Sequence, residues 1–273
     1  MLRTMNSSSN QTRQFAVVTG ASSGIGLELA KQFARNGFDL LIAAEDAGLS
    51  AAASEIGALG ANVQTCQADL ATPDGVEELA GRIAAGRPVD AIAINAGIGV
   101  GGRFLETPLE DELRLIDLNV RSTVHLAKRV LPAMVVRGAG RVLITASIAA
   151  LAATPFEAVY GASKAFDKSF AASLRNELKE TGVTVTTLLP GPTETNFFHR
   201  AGMDDTEVGA SDKKADPAQV AEQAYDALMA GKHEIVAGPL STKFDGLMSK
   251  VVPEEVTAGK HGKMAEPGSA VKA

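Results

Sequence analysis

Seven short, almost unbroken apolar runs recur along the chain: FAVVT, DLLIAA, NVQTCQA, DAIAIN, RVLITAS, VTVTTLLP and HEIVAG. Runs of this length, rich in Val, Ile, Leu and Thr, read as strands covered on both faces. Between them lie longer stretches in which apolar residues return every three or four positions, as in GLELAKQFARNG and KAFDKSFAASLRNELKETG. That spacing predicts helices with one buried stripe. In the second stretch the stripe is Phe166, Phe170, Leu174 and Leu178, with Gly182 as a stop. A clean helix start stands at ADPAQVAEQAYDALMAGK: Asp216 as N-cap, Pro217 in the first position, Gln219 three after the cap, and Gly231 near the end. Strands alternating with helices predict an α/β fold, a single doubly wound (Rossmann-type) parallel sheet of about seven strands with helices on both faces.

Composition narrows the classes. A chain of 273 residues with 45% hydrophobic residues has enough apolar surface for one large core. A net charge of −6, no Trp and 4% aromatic residues give neither a basic face for a phosphate backbone nor a stacking platform for bases, so nucleic acid is not an expected partner. Cys66 is the single cysteine and reads as an inert strand residue. His125, His199, His233 and His261 lack ligand spacing, so no metal site is expected. MLRTMNSSSNQTRQ has no apolar run and reads as a disordered lead. The most apolar stretch, VLITASIAALAATPF, falls short of the ~20 residues that cross a bilayer. A soluble cytoplasmic protein with no membrane partner is expected.

The first strand runs into TGASSGIG, which puts Gly20, Ser22, Ser23, Gly24, Ile25 and Gly26 on a strand-to-helix turn. Such a turn offers free backbone N–H groups and the positive end of a helix dipole to an anion, and its glycines let a pyrophosphate approach. A bare turn is the alternative. At the end of the second strand Glu45 could accept the hydroxyls of an adenosine ribose and would repel a 2′-phosphate, or could be a solvated charge. No Arg or Lys occurs in ASSG or AAED, which tilts the expected cofactor, NAD(H) or NADP(H), slightly toward NAD(H). Asp69, followed by Leu70, could reach an adenine amino group or cap the next helix. Asn95, Ala96 and Gly97 end the fourth strand, where Asn95 could brace strand edges and Gly97 leave room for a ring.

AVYGASKAF places Tyr160 and Lys164 one helical turn apart, on one face. A phenol of pKa ~10 is a poor base at neutral pH, and bringing it to ~7 takes ~4 kcal/mol of preference for the phenolate. A neighbouring ammonium supplies about that much only where water is partly excluded. A core tyrosine beside a surface lysine is the plain alternative. Ser147, closing the strand at ITAS, puts a second hydroxyl at the same sheet edge, so the two could hold one carbonyl or hydroxyl oxygen.

With TGASSGIG, NAG, Asn119 in LIDLNV, Ser147, YGASK and PGPTET in this order over residues 15–195, the sequence resembles the short-chain dehydrogenase/reductases. The resemblance implies an NAD(P)-dependent oxidoreductase acting on an alcohol or carbonyl compound. It implies Tyr160 as general acid/base, Ser147 orienting the reacting oxygen, and Lys164 holding the nicotinamide ribose and lowering the tyrosine's pKa. It implies Asn119 seating a water in the proton relay, Pro190, Gly191 and Thr193 against the nicotinamide, and a homodimer or homotetramer. NADP-using relatives often carry a basic residue near position 45 and NAD-using ones an aspartate near 44, whereas this chain has Ala44 and Glu45. Phe197, Phe198 and Met203 could form an apolar lid over a substrate with an apolar part, or could simply pack. The expected organisation is a lead over 1–14, a dinucleotide-binding catalytic domain over 15–240, and a partly flexible extension over 241–273. A catalytically silent dinucleotide sensor or scaffold, or an epimerase or dehydratase reusing bound cofactor, would share the fold.

Overall fold

In the computed structural model, residues 13–242, 244 and 252–270 are described. The expected disordered lead therefore lies outside them up to residue 12, and Gln14, expected in that lead, already belongs to the first strand. The strands are β1 (Gln14–Thr19), β2 (Phe38–Ala44), β3 (Val63–Gln67), β4 (Ala91–Ile94), β5 (Gly140–Thr145), β6 (Val183–Pro190) and β7 (Glu234–Ala237). All seven expected runs form strands, and every pairing is parallel, in the order β3-β2-β1-β4-β5-β6-β7. The chain starts at the centre, winds out to β3, then crosses back to β4. The β1/β4 boundary is thus the point where the winding reverses, and ligands of such sheets bind there, outside the carboxyl ends of the strands.

The long helices are α1 (Gly24–Arg35), α2 (Leu49–Gly57), α3 (Pro73–Ala85), α4 (Leu109–Ile116), α5 (Ser122–Arg137) and α6 (Ala158–Glu177). Two short turns, α7 (Phe197–Arg200) and α8 (Glu207–Ala210), precede α9 (Pro217–Met229), and a C-terminal helix spans Glu254–Ala265. Successive strand residues face opposite sides. Ala16 and Val18 enter one core with Leu29, Phe33, Ile56, Val220 and Leu228, while Phe15 and Val17 enter the other with Leu79, Leu126, Val130 and Met134. Each such large side chain contributes about 1.5–3 kcal/mol by leaving water. Phe33 meets Phe38 and Tyr225 edge-on at 5.1 and 5.3 Å. Cys66 is fully buried, and burial pushes its thiol pKa up.

Helix starts follow local chemistry. The Asp216 carboxylate accepts from Ala218 N at 2.9 Å, ahead of Pro217, as the sequence predicts. At α3 the cap is Thr72, whose hydroxyl accepts from Gly75 N at 3.0 Å, so Asp69 is not the cap. On α6 the expected stripe is kept in part: Phe170, Leu174 and Leu178 pack, partly buried, on the second core, while Phe166 is 38% exposed and stacks on Phe170. The fully buried residues are Gly161, Ser163, Lys164, Asp167 and Ala171, because the start of the helix faces the strand ends that form the site.

Candidate active site

The turn after β1 is packed hard against the end of β4. A Cβ on Gly26 would stand 2.1 Å from the Gly20 carbonyl oxygen and 2.7 Å from Asn95 Nδ2. Gly20 has φ 65° and leaves no room for a side chain beside Ala96. Asn95 ties three strand ends together: its amide donates to the Thr19 carbonyl at 3.1 Å and accepts from Thr145 Oγ1 at 3.1 Å. Thr19 Oγ1 in turn accepts from the N–H groups of Asn95 and Ala96 at 2.9 and 3.0 Å. Asn95 thus braces the strand edges as expected; Thr19 and Thr145 were not singled out, although hydroxyls at strand ends were the signal. Ser23, before α1, makes no side-chain cap, so the first N–H groups of that helix face the cleft uncapped by it.

At the ends of β2 and β3 the acidic residues are held by neighbours. Asp46 accepts from Ser22 Oγ at 2.6 Å and from Gly48 N at 2.9 Å. Arg114, arriving from α4, donates to Glu45 Oε2 at 2.6 Å and to Asp69 Oδ2 at 2.9 Å. Burial alone would raise the Asp69 pKa, but Arg114 and the N–H of Ala71 outweigh it and hold the carboxyl below its ordinary value. Sequence inspection missed Arg114 because it stands 69 residues from Glu45.

At the other end, α6 delivers Tyr160 and Lys164 to the edge where β5 closes on Ser147. The Tyr160 and Ser147 side chains line the same cavity, and the tyrosine ring packs on Phe197 with centroids 5.2 Å apart. Burial in the cleft drives the phenol pKa well above its ordinary value; the Ser147 side chain pulls it down, and Glu157 and Asp167 push it up. Lys164 is 4% exposed, and its Nζ donates to the Thr145 carbonyl at 2.9 Å and to Asp167 Oδ2 at 3.0 Å. Asn119, in a π-helical turn (Asp117–Arg121), is fully buried. Its Nδ2 donates to Ile98 O at 2.9 Å and to Ser163 Oγ at 3.0 Å, and its Oδ1 accepts from Ile98 N at 3.0 Å. That makes it a fastener of the loop after β4. Gly97 lets these side chains approach closely: a Cβ there would be 3.1 Å from Asn119 Oδ1 and 3.3 Å from Lys164 Nζ.

One cavity of about 570 Å³ joins these ends. It is lined by Gly20, Ser22, Ser23, Gly24, Ile25, Gly26, Glu45, Asp69, Leu70, Asn95, Ala96, Gly97, Ser147, Tyr160, Lys164, Pro190, Gly191 and Thr193. Of the residues singled out from sequence, Asn119 stands behind its wall. Thr193 donates to the Gly191 carbonyl at 2.8 Å, which fixes the turn after β6. Phe197 and Phe198 line the cavity, while Met203 is buried with Ala201 and Ala265 in a small third core. The unforeseen contribution is the C-terminal helix. It packs on α8 and brings Val256, Thr257, Lys260, His261 and Met264 to the cavity, where His261 Nε2 pairs with Glu157 Oε2 at 3.0 Å. Among the described residues no group of three or more His, Cys, Asp or Glu could hold a metal, and no helix is long and apolar enough to cross a membrane.

A parallel sheet reversing at β1/β4, a glycine turn at the reversal and a Ser–Tyr pair at the far edge of one cleft define a class of dinucleotide-dependent fold. Residues 14–206 match the short chain dehydrogenase family, and the chain belongs to it, the short-chain dehydrogenase/reductases. It is 39% identical over 212 residues to the 1-deoxy-11-beta-hydroxypentalenate dehydrogenase of Streptomyces exfoliatus, covering 74% of this chain and 77% of that one. It is 37% identical over 199 residues to the probable oxidoreductase EphD of Mycobacterium tuberculosis, covering 70% of this chain but 34% of that much longer protein. The solved short-chain dehydrogenase from Sphingobium yanoikuyae in complex with NADPH superposes with a TM-score of 0.77 at 29% identity, covering 88% of this chain and 96% of that one.

Proposed function

We propose that the enzyme transfers a hydride between NAD(H) and a secondary alcohol or ketone with an apolar body, with Tyr160 as the proton-transferring group. The observation that carries this reading is the Tyr160–Ser147 hydroxyl pair in the cavity that also opens onto the bare glycine turn. The glycine cradle, the uncapped start of α1 and the acidic residues at the ends of β2 and β3 fit a nicotinamide dinucleotide: pyrophosphate at Gly20, Ser22, Ser23, Gly24, Ile25 and Gly26, adenosine at Glu45, Asp69 and Leu70. The nicotinamide ring would lie by Asn95, Ala96, Gly97, Pro190, Gly191 and Thr193, with Lys164 on its ribose. When bound, the cofactor supplies or accepts the hydride. Ser147 holds the substrate oxygen, and Tyr160 gives that oxygen its proton in reduction or takes it in oxidation. Asn119 keeps the loop after β4 in place. A phenol held protonated at neutral pH serves carbonyl reduction directly; alcohol oxidation needs the phenolate and so climbs as pH rises toward the phenol's raised pKa.

Phe197, Phe198, Ile148, Val256 and Met264 give the substrate end an apolar lining. A panel of ketones followed by loss of reduced-nicotinamide absorbance tests the substrate class. Bulky apolar ketones are expected to be turned over and small hydrophilic ones poorly; the reverse order would sink it. Tight cofactor binding with no turnover on any member would instead favour the silent sensor.

The preference for NADH over NADPH rests on Glu45, Asp46 and Asp69, three carboxylates that Arg114 only partly offsets. Titration of the two reduced cofactors, followed by their own fluorescence, is expected to show NADH bound about tenfold more tightly, or ~1.4 kcal/mol. Tighter binding of NADPH would refute this role for Glu45. The same proposal takes residues 15–240 as the catalytic domain and 241–273 as a C-terminal extension, of which Val256, Thr257, Lys260, His261 and Met264 complete the substrate end. It also takes the enzyme as a cytoplasmic homodimer or homotetramer.

A further inference from the structure

One group in the site has no part in the chemistry above. Asp167, three residues past Lys164 on α6, is 1% exposed, and its Oδ2 lies 3.0 Å from Lys164 Nζ. Its other oxygen, Oδ1, is buried with no hydrogen-bond partner. Burial pushes the Asp167 carboxyl pKa up and the Lys164 charge pulls it back down, so the group is held ionised by the very ammonium that the reacting end requires. Lys164 has three N–H bonds to give. One goes to the Thr145 carbonyl, one to Asp167, and the third is left for the cavity that Lys164 lines.

The other elements on this face add little charge. β6, VTVTTLLP, has no ionisable residue; β5 presents the Thr145 carbonyl; the 3-10 turn after it presents Ser147. In the π-helical turn Asp117 and Arg121 pair with each other at 3.0 Å, and on α4 Glu112 accepts from Thr107 while Arg114 is committed to Glu45 and Asp69. Glu157, one turn before Tyr160, is paired with His261. The anion set directly against the Lys164 charge is Asp167.

We propose that Asp167 is the buried counter-ion of Lys164 and a positioning residue for Tyr160: it aims the ammonium at the cleft, cancels its charge, and so keeps the tyrosine in its proton-donating form. The pH at which alcohol oxidation, which needs the phenolate, becomes fast is thereby moved upward, a conclusion that rests on the function proposed above. The upward shift of the Tyr160 pKa, to which Asp167 contributes after burial, agrees with this arrangement.

Tyr160 and Tyr225 are the only two tyrosines, and there is no Trp. In Tyr225→Phe, therefore, tyrosinate absorbance reports Tyr160 alone, and circular dichroism at each pH separates ionisation from unfolding. Without cofactor, Tyr160 in this background is expected to stay protonated past the ordinary phenol value of ~10. Adding Asp167→Asn is expected to lower its midpoint by at least about one pH unit, a tenfold rise in the ionised fraction at a given pH. A midpoint unmoved by Asp167→Asn would overturn the proposal. So would a Tyr160 that already ionises below ~10 before Asp167 is touched, a result that stands even if Asp167→Asn does not fold. Because these titrations use neither substrate nor cofactor, they succeed or fail independently of the proposed reaction. With turnover in hand, Asp167→Asn is expected to move the rise of the alcohol-oxidation pH profile to lower pH by a similar amount; an unmoved profile would remove this consequence for the reaction.

Discussion

Tyr160→Phe is expected to lower turnover by about 10²–10⁴-fold, the usual contribution of one positioned acid/base group, while cofactor affinity stays near that of the parent. The expectation follows from how little the substitution removes. Phenylalanine keeps the ring against Phe197 and the helix that carries it; the one loss is the hydroxyl that shares the cavity with Ser147. Lys164 is held by Thr145 and Asp167, so it stays in place without that hydroxyl. Steady-state rates beside a dinucleotide titration separate the two effects. Near-normal turnover in the variant would end the assignment of Tyr160, and a parallel loss of cofactor binding would show that the residue acts through the shape of the cleft.

Gly26→Ala is the second large effect, and it acts on both folding and binding. The added methyl would meet the Gly20 carbonyl oxygen at 2.1 Å, far inside contact distance, and the neighbour is backbone that cannot swing aside. Either α1 tilts away from the end of β1 or the turn opens, and both disturb the Asn95 bonds that join β1 to β5. Overpacking of this kind costs typically 1–3 kcal/mol, which for a chain of this size lowers Tm by roughly 2–12 °C. Dinucleotide affinity is expected to fall at least about tenfold, because the N–H groups meant for the pyrophosphate lose their common direction. Gly81→Ala, on the exposed side of α3 with nothing within 4 Å of the new Cβ, is the control. It is expected to stabilise by about 0.5–1 kcal/mol through helix propensity. Equal behaviour of the two variants would show that the turn is looser than its geometry implies.

What could be read from the chain follows the range over which the information is stored. The strands were legible because a strand buried on both faces needs a continuous apolar run, and the glycine turn and the Tyr160–Lys164 spacing are each contained in fewer than ten residues. Arg114 and Asp167 were not legible for different reasons. Arg114 acquires its meaning from two carboxylates delivered by other strands. Asp167 is a charged residue beside the apolar stripe of its helix and reads as solvated, so its inward direction follows only once Lys164 is fixed against Thr145. The C-terminal helix has almost no local signal, since EEVTAGKHGKMA carries two glycines and no apolar stripe. Packing on α8 and burial of Ala265 with Phe198 and Met203 supply what the pattern lacks.

That late helix divides responsibility within the enzyme. The parts that would move hydride and proton are fixed by the central strands and α6, whereas much of the wall that would judge the incoming molecule is contributed by the last stretch of chain, between Val252 and Met264. Under the proposed function, exchanging Val256 or Met264 in that stretch is expected to change selectivity without touching the His261–Glu157 pair or the central strands that carry Ser147 and the glycine turn.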